Sequence, residues 1–69
     1  MQRTPVSSSN VASIGYDVAS QTLEVEFNNG RVYQYLDVPQ PVYEAFMQAN
    51  SKGKFLNQHI KGSFRFVRM

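Results

Sequence analysis

The sequence predicts an α+β fold: a three-stranded antiparallel meander followed by two short helices packed on one face. The C-terminal tail is able to add a short edge strand. Three observations carry this reading. Apolar and polar side chains alternate through 11–18, 22–27 and 31–36, the period of half-buried strands. Asn28-Asn29-Gly30 separates two of these runs and carries hairpin chemistry, with glycine where φ must be positive. Beyond Val38-Pro39-Gln40-Pro41 the period changes, and Val42/Phe46 and Tyr43/Met47 fall four residues apart, as on a helix with a broad apolar stripe.

Residues 1–10 are polar and Ser-rich and read as a loose N-terminal arm, although Pro5-Val6 offers a docking point. Residues 11–69 form the single domain. In the first strand Ala12, Ile14, Tyr16 and Val18 share one face, and Ser13, Gly15 and Asp17 the other. Asp17 to Gln21 supplies turn chemistry through Asp and Ser. In Thr22 to Phe27, Leu23, Val25 and Phe27 oppose Glu24 and Glu26.

The turn then decides where Tyr33 and Tyr35 lie. A two-residue Asn29-Gly30 loop pairs Phe27 with Val32 and puts both tyrosines on the outer face with Glu24 and Glu26. A three-residue loop, a type I turn ending in a glycine bulge, pairs Phe27 with Arg31 and Val25 with Tyr33. The tyrosines then join Leu23, Val25 and Phe27. One residue of register exchanges the faces. The second arrangement is favoured, because the first buries the Gln34 amide and exposes two tyrosines.

Pro41 suits the first turn of the first helix, where a missing N–H costs nothing. Ser51 suits the cap of a second short helix carrying Phe55, Leu56 and Ile60. Gly53 weakens its first turn, and Gly62 is placed to end it. In the tail, Phe64 and Phe66 alternate with Arg65 and Val67.

Sixty-nine residues make one domain, which buries only about 60% of the surface its unfolded chain exposes. There is no cysteine, so no disulfide or thiolate metal site staples it. Five Phe and four Tyr must supply much of the core. The absence of cysteine suits a cytoplasmic location. The first ten residues lack the apolar stretch of a secretory signal. No apolar run approaches the roughly 20 residues that span a bilayer, so no membrane partner is expected.

The formal charge of +2 conceals an asymmetry. Up to Asn50, two arginines face five acids (net −3); from Ser51 onward, Lys52, Lys54, Lys61, Arg65 and Arg68 stand without an acid (net +5). Such a segment points to a polyanionic partner.

The ordered set Ser8-Ser9-Asn10, Ile14-Gly15-Tyr16, Leu23-Glu24-Val25-Glu26-Phe27, Gly30, Tyr33-Gln34-Tyr35, Val38-Pro39, Val42-Tyr43 and Ser51-Lys52-Gly53-Lys54-Phe55-Leu56-Asn57 with Ile60 resembles the KTSC domain. That domain occurs at the C-terminus of some lysyl-tRNA synthetases and as short stand-alone bacterial and phage proteins. The resemblance runs from about Val6 to Phe66. It implies a small non-catalytic module, and its synthetase context implies RNA, tRNA-like or single-stranded, as partner. It assigns no catalytic residue and no cofactor.

The residues agree with a binding module. His59 is the only histidine and has no base partner near it in sequence, as a general base requires. Glu24 and Glu26 lie about 7 Å apart on one strand face, within reach of an acid/base pair, but a solvated sheet face gives the same pattern. One His, no Cys and scattered carboxylates give no metal-ligand spacing. The expected nucleic-acid contacts are Lys52, Gly53, Lys54, Lys61, Arg65 and Arg68, with Lys52 to Lys54 as a phosphate seat where the second helix opens. Gly53 reads equally as relief of crowding between the helices. Tyr33 and Tyr35 stack on bases if exposed, and pack under the helices in the favoured register. The competing class is a protein-interaction module, in which a free sheet edge takes a strand from a partner or from a second copy.

Overall fold

The Asn28-Asn29-Gly30 turn sets the frame of the sheet. A computed structural model describes residues 1–69. Its elements are β1 (Arg3–Pro5), β2 (Val11–Asp17), β3 (Thr22–Phe27), β4 (Val32–Tyr35), α1 (Gln40–Gln48), α2 (Lys52–Phe55), a π-helical turn (Leu56–Ile60) and β5 (Phe66–Arg68). Val25 lies opposite Tyr33, and Leu23 opposite Tyr35. The Phe27 N–H donates to the Arg31 carbonyl at 2.8 Å, and the Gly30 N–H to the Phe27 carbonyl at 2.9 Å. Gly30 has φ +89°, the left-handed conformation that closes a three-residue loop. The favoured register therefore holds. Tyr35 is buried beside Leu23 and Val25, and Tyr33 is half-buried.

The strand count differs from the expected three. Five strands form one antiparallel sheet in the order β1-β2-β3-β4-β5, and the additional strands occupy its two edges. At one edge, β5 pairs with β4, Phe66 facing Tyr35 and Arg68 facing Tyr33. This is the tail strand that Phe64 to Val67 suggested. At the other edge residues 3–5, expected to be loose, pair with β2, Arg3 facing Gly15 and Pro5 facing Ser13. The reason lies in β2. Gly15 has no side chain, and a Cβ there would stand 2.6 Å from the Gln2 carbonyl oxygen. The N-terminal backbone closes down on that gap.

The faces of β2 also differ from simple alternation. Val11 pairs with Phe27 and Ser13 with Glu26, leaving Ala12 as the extra residue of a bulge. The bulge turns Val11 inward, so Val11 and not Ala12 joins Ile14 in the core. Val18 lies beyond the strand in the turn and is exposed.

Both helices follow their sequence signals. α1 carries proline in its first turn. In α2 the Ser51 hydroxyl accepts the Lys54 N–H at 3.2 Å, a helix cap. Phe46, Leu56 and Ile60 insert into a core with Val11, Ile14, Leu23, Val25, Tyr35 and Val38. Tyr16 of β2 and Tyr43 of α1 stack at 4.6 Å, tying helix to sheet. Gly62 does not end the second helix as a left-handed cap, since only Gly30 among the glycines has positive φ. The helix instead widens: the Lys61 N–H donates to the Leu56 carbonyl, five residues back, at 2.9 Å, and a turn leads to β5.

Candidate nucleic-acid interface

The basic residues from Ser51 onward do not act as one cluster. Lys52 folds back on α1, its Nζ donating to the Ala49 carbonyl at 2.6 Å. Ala49 is the C-cap residue of α1, an end where a cation is favoured. Gly53 is buried, and a Cβ there would meet the Asn10 Nδ2 at 2.8 Å. It relieves crowding, though against the loop before β2 and not against α1. Lys54 is exposed. Arg65 faces Asp37 at 3.6 Å, with both side chains more than 70% exposed. Such a pair is worth well under about 1 kcal/mol and leaves Arg65 available.

Lys61 meets a cation from the acidic half of the chain. Arg31, Lys61, Tyr33 and Phe27 line a groove of about 180 Å³. Arg68 lies directly across the strand pair from Tyr33, so both side chains project from the same face. Tyr33 stacks on Phe66, ring centroids 5.2 Å apart and planes within 4°, and meets Phe27 edge-on at 5.5 Å. Phe66 is 54% exposed. An exposed aromatic ring is therefore stacked on Tyr33, which itself lines the groove with Arg31 and Lys61 and lies across the strand pair from Arg68.

The two tyrosines have different roles. Tyr35 is 1% exposed and belongs to the core, as the register required. Its hydroxyl is pushed above the usual tyrosine range, first by burial and then by Tyr33. Phe66, from the alternating tail, is the exposed aromatic.

Glu24 and Glu26 do not lie on a freely solvated face. Glu24 is 8% exposed. Its Oε2 takes the Arg3 guanidinium at 2.9 Å, and its Oε1 accepts from Gln34 Nε2 at 2.9 Å. Glu26 accepts from the buried Ser13 hydroxyl at 2.8 Å. Both carboxylates lace strands together. His59 packs on Phe55 at 4.7 Å. No three His, Cys, Asp or Glu side chains converge on a common point, and no helix is long and apolar enough to cross a membrane.

A five-stranded meander with one face roofed by two short helices defines a small α+β domain. The KTSC domain profile matches residues 7–64, and the chain belongs to the KTSC domain family. A KTSC domain protein of Yersinia pestis has the same fold, with a TM-score of 0.93 and 48% identity over 99% of this chain and 96% of that one. A protein of Stutzerimonas stutzeri is 44% identical over 88% of this chain and 86% of its own length. A lysine–tRNA ligase of Nostoc punctiforme is 41% identical over 86% of this chain, which corresponds to 10% of the ligase. The domain thus exists both as a short protein and as a small part of a much larger enzyme.

Proposed function

We propose that the protein is a cytoplasmic, non-catalytic module that binds single-stranded RNA, or unpaired regions of a tRNA-like RNA. The observation that carries this reading is the Tyr33–Phe66 stack, with Arg31 and Lys61 lining the groove beside Tyr33 and Arg68 across the strand pair from it. Unpaired bases stack on aromatic side chains, each worth about 1–3 kcal/mol, while cations hold the backbone. Kinship with a segment of lysine–tRNA ligases, enzymes that handle tRNA, supports the same partner.

Fluorescence anisotropy with a labelled single-stranded RNA tests it. Three phosphate contacts give a salt slope of about −2 for a single strand. Phe66→Ala should weaken binding about tenfold or more, and Lys61→Ala should flatten the slope. Binding that ignores Phe66→Ala, or no binding at low salt, would overturn the reading.

The same edge favours a second reading. Phe66, Val67 and Met69 are all exposed, and β5 has no further neighbour in the sheet. A strand from a protein partner or a second copy would pair there. Such an association persists in moderate salt, where phosphate binding falls away.

A further inference from the structure

Beside the aromatic groove lies a larger polar cleft of about 350 Å³. Three segments remote in sequence form it: the loop before β2, the β3–β4 turn, and α2 with its π turn. Phe27, with the buried Leu56 behind it, supplies its apolar surface, and Asn10, Asn29, Asn57 and Lys61 its polar one. No carboxylate lines it.

The amides divide into those that build the cleft and those that are free. Asn28 builds it: its Nδ2 donates to the Ser8 and Ser9 carbonyls at 3.2 and 2.9 Å, and its N–H to the Asn10 carbonyl at 2.9 Å. Asn29 uses Oδ1 to accept the Arg31 N–H at 3.0 Å, leaving its Nδ2. Asn10 and Asn57 use neither side-chain amide atom on a protein partner. Gly53 sets the position of Asn10, because any larger residue would displace its Nδ2.

This lining restricts the ligand. A purely apolar guest would desolvate several amides without return, at about 1–3 kcal/mol each. A simple anion would find one cation and leave the apolar surface unused. An aromatic heterocycle with donors and acceptors on its edge, joined to an anionic group, uses every part. The volume is at the small end of ligand pockets, about 300–1,000 Å³.

We propose that this cleft holds one unpaired nucleotide, its base against Phe27, its edge read by Asn10 and Asn57, and its phosphate met by Lys61. The proposal rests on the RNA-binding reading and adds base choice to it. Phe27, Asn29 and Lys61 line both the cleft and the aromatic groove. Lys61 therefore stands between a base in the cleft and the next one on Phe66. The stacking surface accepts any base, whereas the amides discriminate.

The test is an NMR titration of isotope-labelled protein with the four nucleoside 5′-monophosphates and with ribose 5-phosphate at low salt. The Asn10 and Asn57 side-chain amide signals should move with one nucleotide more than the others, and stay still with ribose 5-phosphate. Asn57→Ala should weaken the preferred nucleotide about five- to tenfold and level the differences among bases. In the same variant, single-stranded RNA should still bind through Phe66 with its base preference lost. Asn57→Asp, nearly identical in shape at an exposed position, should repel all four nucleotides and guards against a folding defect. Amide signals unmoved by every nucleotide, or moved equally by ribose 5-phosphate, would overturn the cleft even if RNA still bound through Phe66. Nucleotide-specific shifts in a protein whose RNA binding ignores Phe66 would uphold the cleft and overturn the broader reading instead.

Discussion

Strand β1 ends the sheet with Pro5, which has no N–H to offer a new strand, and with Arg3, whose guanidinium is tied to Glu24 at 2.9 Å. Strand β5 ends the opposite side with Phe66 and Val67, 54% and 47% exposed, and Arg68. Edge strands invite unwanted pairing, and proline and charge are common deterrents. β1 carries both deterrents and its backbone is seated over Gly15. β5 is flanked by charge but leaves apolar surface in solvent. The same sheet thus has one edge that stabilises the fold and one that remains open to a partner. The stacking face, the flanking cations and the Asn-lined cleft all lie toward β4, β5 and the β3–β4 turn.

The largest effect that separates the edges should come from Gly15→Ala. The added methyl meets the Gln2 carbonyl at 2.6 Å, and backbone cannot step aside as a flexible side chain does. Urea denaturation should show a loss of about 2 kcal/mol. In a chain beginning at residue 6 the same substitution should be nearly neutral. An equal cost in both chains would mean that Gly15 answers to something other than β1.

Next comes the ion pair on that edge. Glu24 is largely buried, whereas Arg3 is 31% exposed, so Arg3→Ala should cost about 1 kcal/mol after allowance for solvent screening. A double-mutant cycle with Glu24→Gln isolates the coupling. Coupling near zero would reduce Arg3 to packing alone.

The smallest effect is expected between the two edges, at high pH. Burial, and then Tyr33, raises the Tyr35 hydroxyl above its ordinary value of 10.0. Burial, and then Asp17, does the same for Tyr16, whose hydroxyl donates to the Val38 carbonyl. Above about pH 10 the unfolded chain releases these protons first, so the folded state binds more of them and stability falls as pH rises. Below that range both states are protonated and these groups contribute no slope. Thermal melts between pH 8 and 11 should show the decline, and Tyr35→Phe should shallow it. An unchanged slope in both Tyr35→Phe and Tyr16→Phe would exclude them as its source.

Much of the interior was legible because its signals are local. Gly30 and the asparagines before it set the register of Tyr33 and Tyr35, and Pro41 and Ser51 mark helix starts through their own backbone chemistry. β1 was not legible. Arg3-Thr4-Pro5 is short, polar and contains proline, and it becomes a strand only because Gly15 leaves room and Glu24 offers a partner. The Ala12 bulge likewise depends on the pairing of β2 with β3. The charge run does not show how its members are placed. It named Lys61, which lines the groove, and Arg68, which lies across from Tyr33, together with Lys52, whose Nζ turns back to the Ala49 carbonyl at the end of α1. It missed Arg31, which reaches the groove through hairpin pairing. Asn10 and Asn57 belong to the KTSC pattern, but nothing local brings residues 47 positions apart to one cleft.

The π turn has a consequence for the history of this segment. Its closure spans five residues, from Leu56 to Lys61, so it is equivalent to an ordinary helix with one residue inserted. Loss of an exposed position such as Gln58 would let the segment settle into regular helix, and because the wide turn has absorbed the extra residue, Lys61 would keep nearly its present direction. Among relatives, a one-residue gap in this stretch of an alignment is therefore a change of length that leaves the cation beside the groove in place.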